Sequence, residues 1–107
     1  MERRSWGYYQ VLFCNSICKV KILYVEIENE LSYQYHAKRD EHWIIIQGNA
    51  KSILDDETIY LAKGDSLYIC KLQKHTVKNV GQEQLIICEV QTGESFDEED
   101  IVRLRKI

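Results

Sequence analysis

Four residues in this chain have types and spacings suited to holding a divalent cation: Gln34, His36, Glu41 and His75. In an extended strand the side chains at i and i+2 share a face, so Gln34 and His36 point together. The four residues Ala37-Lys38-Arg39-Asp40 are enough to turn the chain and return Glu41 beside them. An amide oxygen, an imidazole nitrogen and a carboxylate then converge, with room for the second imidazole of His75. Two nitrogens and two oxygens suit zinc, manganese, iron, cobalt or nickel, and leave coordination positions open. Binding needs neutral imidazoles and an ionised carboxylate, so the metal is expected to leave as the pH falls toward about 5. Alternation turns His42 away from Glu41 and puts Trp43 on Glu41's face. There Trp43 either packs in a core or lines a ligand pocket, and Ile44–Ile46 beside it point to burial on both sides of that strand.

The elements that must position these residues read as strands. Trp6–Leu12, Lys19–Ile27, Ser32–His36, Glu41–Gln47, Ala50–Leu54, Glu57–Leu61, Ser66–Cys70, Thr76–Val80 and Leu85–Gln91 are short, rich in β-branched and aromatic residues, and separated by polar or glycine turns. Asp55-Asp56 forms the tight turn of a hairpin, and Gly48-Asn49 and Lys63-Gly64-Asp65 form others. Asp97-Glu98-Glu99-Asp100 ahead of Ile101-Val102-Arg103-Leu104 predicts one C-terminal helical turn with acids at its start. About nine short strands at this spacing make an all-β sandwich or barrel. Cys88, inside Leu-Ile-Ile-Cys-Glu-Val, reads as buried packing.

At 107 residues the chain is expected to be one domain spanning 1–107. An apolar content of 45% with 29% charged residues supports a core rather than disorder. The formal net charge of -3 offers no footprint for nucleic acid. No apolar run approaches the ~20 residues a membrane span needs, and MERRSWGYY lacks a signal-peptide core. The four cysteines have no CxxC spacing and suit a reducing compartment. The expected location is cytoplasmic.

The spacing of the candidate ligands resembles the cupin signature. Gln34-Tyr35-His36 stands in the place of His-x-His, Glu41 follows after four residues and Gly48 after six more; Gly64, His75 and Asn79 fit the second motif. Glu28 replaces the first motif's leading glycine, and Cys70 and Leu72 replace the proline and glycine of the second motif's Pro-x-Gly. RSWGYYQVL, LSYQYHAKRDEHWIIIQGNAK and CEVQTGESFDEEDIVRL narrow the likeness to the C-terminal cupin domain of type II mannose-6-phosphate isomerases, from about Arg4 to Arg103. In that family glutamine is usual at the first ligand position, and a mannose-1-phosphate guanylyltransferase domain often precedes. Ala37-Lys38 stand where the family has histidines.

The resemblance implies a double-stranded β-helix, a small jelly-roll barrel, with a divalent ion held by Gln34, His36, Glu41 and His75. It implies interconversion of mannose 6-phosphate and fructose 6-phosphate in sugar-nucleotide or polysaccharide precursor metabolism. That reaction moves a proton between C1 and C2, for which Lys71, Lys74 and metal-bound hydroxide are candidate bases. Lys38, Arg39 or Arg103 would clamp the phosphate, Arg103 lying in the family's Asp-Ile-Val-Arg segment, and Trp43 would line the sugar pocket. The alternatives are a non-catalytic cupin that binds a sugar or sugar nucleotide, alone or beside a separate guanylyltransferase, and another metal-dependent cupin enzyme. The edge strand Trp6–Leu12 and family habit lead us to expect a homodimer.

Overall fold

A computed structural model describes residues 1–104 of the chain. It contains eleven strands in two antiparallel sheets: β1 (Glu2–Arg4), β2 (Gly7–Cys14), β3 (Cys18–Val25), β4 (Gln34–Tyr35), β5 (Arg39–Gln47), β6 (Asn49–Leu54), β7 (Glu57–Ala62), β8 (Ser66–Ile69), β9 (His75–Asn79), β10 (Leu85–Gly93) and β11 (Val102–Arg103). One sheet runs β1-β2-β3-β10-β5-β8 and the other β11-β4-β9-β6-β7. β1 pairs with Gly7–Tyr9 of β2, so the expected edge strand has an intrachain partner over its first residues.

Strict alternation divides the barrel interior into two halves. On β5 the inward residues are Arg39, Glu41, Trp43 and Ile45, all buried, while His42, Ile44 and Ile46 face outward and are exposed. β10 runs antiparallel beside it with Ile87, Glu89 and Gln91 opposite Ile45, Trp43 and Glu41. β3 on the other flank sets Lys21, Leu23 and Val25 opposite Glu89, Ile87 and Leu85. The apolar half is therefore Leu23, Val25, Ile45, Leu85 and Ile87, joined by Leu61, Ile69 and Val77 from other strands. Each such side chain, fully buried, contributes roughly 1.5–3 kcal/mol. The other half is polar, and the apolar plug beneath it holds its backbone rigid.

Two expectations about side-chain direction are corrected here. Ile44 and Ile46 are on the solvent side, so β5 is buried on one face only. Cys88 is half-buried on that same outer side, because the inward frame of β10 passes through Ile87 and Glu89 instead. A shift of one residue in frame moves every side chain of a strand to the other face.

The C-terminal helical turn is not formed; no residue among those described is helical. The segment leaves β10 and crosses the open end of the barrel to join the other sheet as β11, paired with Tyr35 and Gln34 of β4. Its last acid serves amides elsewhere in the chain: Asp100 accepts from Ala37 N at 3.1 Å and from Lys38 N at 2.9 Å. Once those carboxylate oxygens are spent on β4–β5 amides, they cannot cap a helix. Gly93 permits the crossing, since at its φ of +144° a Cβ would strike the carbonyl of Lys38 and the Cα of Arg39.

Glu28 and Leu72, the residues in place of two motif glycines, hold φ of 70° and 69°. The backbone thus keeps the left-handed turns that glycine normally supplies, at a cost of roughly 1–2 kcal/mol each.

Candidate metal centre

His36, Glu41 and His75 are brought together in the polar half by three different local devices. β4 ends after Tyr35, and the turn through Ala37 and Lys38, tied down by Asp100, swings His36 inward. Glu41 is an inward position of β5. His75 opens β9 just after the turn held by Leu72, in register with Gln34 of β4. One ligand atom from each of His36, Glu41 and His75 lies within 4.8 Å of the others, and all three residues are buried. Gln34 is half-buried and shares a cavity wall with His36 and Glu41; its Oε1 accepts from the Ser32 hydroxyl at 2.8 Å.

Hydrogen bonding fixes which imidazole atoms are available. His36 Nδ1 lies 2.7 Å from the Asp100 carbonyl and His75 Nδ1 lies 2.9 Å from that of Gln73. A carbonyl only accepts, so both Nδ1 atoms carry the proton and both Nε2 atoms present lone pairs to the centre. Anchoring one ring nitrogen to the backbone and aiming the other is the usual support of a metal-bound histidine. His36 Nε2 is 3.3 Å from Glu41 Oε2, and His75 Nε2 is 3.7 Å from Glu41 Oε1. His75 Nε2 is buried without a hydrogen-bond partner. Two imidazole lone pairs facing one carboxylate repel unless something positive lies between them, so the donor set fits a divalent cation.

Part of that positive charge is already built in. Arg39 Nε donates to Glu41 Oε2 at 2.9 Å, and its Nη2 lies 3.2 Å from His36 Nε2. With 6% of its surface exposed, Arg39 is a buried counter-charge inside the ligand cluster. Trp43 is fully buried and is not on the cavity wall; its indole Nε1 donates both to Glu41 Oε1 at 3.2 Å and to Glu89 Oε1 at 2.9 Å. It holds two carboxylates in place.

Burial, reinforced by the charge of Arg39, holds the His36 pKa down at about 4, and burial lowers that of His75 as well. For His36 the folded value lies below the unfolded one of about 6.5. Its contribution to stability is then complete above about 6.5 and is lost as the pH falls through about 4. We therefore expect metal to be retained to more acid pH than the spacing alone implies, with release near about 4 and loss of fold accompanying it. Metal retention after dialysis along a pH series checks this; half-release near the ordinary histidine value of about 6.5 would overturn it.

The remaining sequence candidates fall in different places. Arg103 is exposed on the rim of the cavity. Lys71 and Lys74 are not on the cavity wall: Lys71 lies 3.6 Å from Glu94 and Lys74 lies 3.0 Å from Asp56, each in a surface ion pair. The turn before β9 projects both toward solvent. Lys38 is also outside, exposed beside the C-terminal crossing, where its backbone and not its ammonium makes the contacts.

The cavity, of about 230 Å³, brings forward residues that spacing did not single out. Glu89 lines it, fully buried, with its Oε2 accepting from Gln91 Nε2 at 2.7 Å. Burial first and the neighbouring Glu41 charge second raise its pKa to about 7. Lys21 and Tyr9 line the same cavity, as does Glu98 from the C-terminal crossing. The trace in the sequence is that Glu89 and Gln91 stand two residues apart in Leu85–Gln91 and so share a face, without telling which face points inward.

The sequence from residue 2 to 106 matches the family described as mannose-6-phosphate isomerase C-terminal. The chain belongs to that family. It is 38% identical to the alginate biosynthesis protein AlgA of Pseudomonas aeruginosa, over 97% of this chain and 22% of that protein. It is 34% identical to the mannose-1-phosphate guanylyltransferase of Escherichia coli, over 94% of this chain and 21% of that one. This family member therefore spans about a fifth of the length of those relatives. A Klebsiella pneumoniae protein with a double-stranded β-helix domain superposes with a TM-score of 0.82 at 20% identity, covering 98% of this chain and 91% of that one. The fold is the cupin barrel.

Proposed function

We propose that this chain is a metal-dependent sugar-phosphate isomerase that interconverts mannose 6-phosphate and fructose 6-phosphate. The observation that carries the reading is the convergence of two fixed imidazole lone pairs and a carboxylate, of which His36 and Glu41 stand on the wall of a cavity that Glu89 also lines. Membership of the family and the relatives' place in mannose metabolism support it.

Gln34, His36, Glu41 and His75 would hold the ion. Bound there, a divalent ion polarises a carbonyl and stabilises negative charge developing on its oxygen. Glu89 takes the proton-transfer role for which Lys71 and Lys74 are misplaced. Its pKa of about 7 populates both protonation states near neutral pH, the condition for an efficient proton carrier. Trp43 Nε1 and Gln91 Nε2 fix the orientation of its two oxygens. Arg39 balances Glu41, so the cluster does not accumulate uncompensated negative charge.

The test is incubation of the metal-loaded chain with mannose 6-phosphate in deuterated water, followed by NMR. Fructose 6-phosphate carrying solvent deuterium at C1 is expected; no conversion with zinc, manganese, iron, cobalt or nickel would overturn the reading. One observation favours a second reading, a module that binds a sugar phosphate without turnover: Arg39 already occupies lone pairs of His36 and Glu41. Saturable binding with no deuterium uptake would select it.

A further inference from the structure

We propose that Lys19, Lys21 and the Tyr9 hydroxyl form an anion subsite for the phosphate of a phosphomonoester ligand, with the Glu98 carboxylate as its built-in, displaceable occupant. The inference rests on the isomerase reading only for the identity of the ligand.

Glu98 reaches into a cradle made by the barrel wall. Its Oε1 accepts from Lys21 Nζ at 2.7 Å and from Tyr9 Oη at 3.1 Å, and its Oε2 from Lys19 Nζ at 3.3 Å. Arg4 Nη2 donates to Tyr9 Oη at 3.3 Å from behind. The burial of the two sides differs. The Lys21 side chain is 6% exposed and that of Lys19 12%, whereas Glu98 is 40% exposed. The donors stand on β2 and β3, inside the six-stranded sheet, and the acceptor stands on the crossing segment between β10 and β11. The donors of the cradle belong to the sheet, and its occupant reaches them from the more exposed side.

A buried lysine needs a partner, and this one faces inward at a strand position where its neighbours Leu23 and Val25 belong to the core. Glu89, the residue opposite it on β10, feels the Lys21 charge, but the hydrogen bond of the Lys21 ammonium goes to Glu98. Two ammonium groups and one hydroxyl meet a single carboxylate at Glu98. A phosphate dianion matches two ammonium groups better than a single carboxylate does, with more acceptor oxygens for the same donors. Lys21, Tyr9 and Glu98 of the cradle line the same cavity as His36 and Glu41. An extended sugar phosphate would then place its phosphate end at Lys21 and its carbonyl end toward the metal ligands. Arg103, on the rim, is left to face the outer side of the phosphate.

Isothermal titration calorimetry of the full chain with inorganic phosphate tests this directly. Removing the occupant in Glu98→Gln is expected to tighten phosphate binding about tenfold, and Lys21→Met to weaken it at least tenfold, each tenfold being about 1.4 kcal/mol. Lys19→Gln, a less buried change, is expected to weaken it in the same direction and guards against a folding defect in Lys21→Met. Unchanged phosphate affinity in Glu98→Gln, or in a folded Lys21→Met, overturns the subsite. The same variants assayed with mannose 6-phosphate separate the two ideas. Tighter phosphate binding in Glu98→Gln without turnover in any form sinks the isomerase and leaves the subsite standing. Turnover with no response of phosphate affinity does the reverse.

Discussion

Glu41→Gln is expected to abolish metal binding and, at the same time, to lower stability by about 3–5 kcal/mol, the cost of breaking a buried ion pair from one side. The two effects have separate causes. Metal loss follows from removing the one charged donor of the cluster. Destabilisation follows from Arg39, which is 6% exposed and gives its Nε to Glu41 at 2.9 Å. Without the carboxylate, a guanidinium remains in the barrel with a neutral amide and a neutral imidazole as partners. A domain of this size has roughly 5–15 kcal/mol in total, and each kcal/mol moves the melting temperature by about 4–8 °C. A fall of roughly 12 °C or more is expected in thermal unfolding. The double variant Arg39→Met/Glu41→Gln removes both charges, and replacing a buried pair by apolar groups is often neutral. It should recover most of the stability and none of the metal, measured by inductively coupled plasma mass spectrometry on the dialysed protein. Metal content within twofold of wild type in either variant would refute the site.

What was legible beforehand, and what was not, follows from the range of the interactions. Gln34, His36 and Glu41 lie within eight consecutive residues, so a period of two and a short connection were enough to converge them, although β4 and β5 belong to different sheets and do not pair. His75 could be added because its motif spacing to Gly64 and Asn79 is local as well, and Asn79 proves to be a buried bracket, donating to the carbonyls of Val25 and Glu83. The left-handed turns at Glu28 and Leu72 kept their place although glycine is gone. The frame of β10 was not legible. Leu85–Gln91 is apolar on both faces for its first residues, so composition does not say which set points inward. The choice is made by its two neighbours, β3 and β5, about 40 to 75 residues away in sequence. Reading Cys88 as the buried residue concealed Glu89 and Gln91 together. The Asp97–Asp100 acids were misread for a similar reason. Glu98 and Asp100 find their partners in the Tyr9 hydroxyl of β2, the ammonium groups of β3 and the amides of the turn before β5, and no local pattern distinguishes those from the amides of a helix start.

Glu89→Gln is expected to reduce turnover by about 10²–10⁴-fold, the range assigned to a positioned acid–base group, while leaving metal content unchanged. The substitution preserves volume, and its hydrogen bonds can be rebuilt. An amide oxygen still accepts from Trp43 Nε1. Gln91, whose Oε1 is buried without a partner, can turn its amide so that this oxygen accepts from the new amide nitrogen. Removing a carboxylate that burial and Glu41 have already pushed to about 7 also relieves repulsion beside the metal ligands. Melting temperature should therefore hold or rise, which separates loss of chemistry from loss of fold. The pH dependence offers a readout that a purely structural role would not change. In the wild type kcat/KM should rise with pH through about 7 as Glu89 ionises, and that limb should vanish in the residual activity of the variant. Turnover within tenfold of wild type, or a limb near about 7 that survives the substitution, would remove Glu89 from the mechanism. The proton would then have to be carried by another group on the cavity wall. The carboxylates there outside the ligand cluster and apart from Glu89 are Glu30 and Glu98, and Glu98, held by two lysines with a pKa of about 2, is too weak a base for the task.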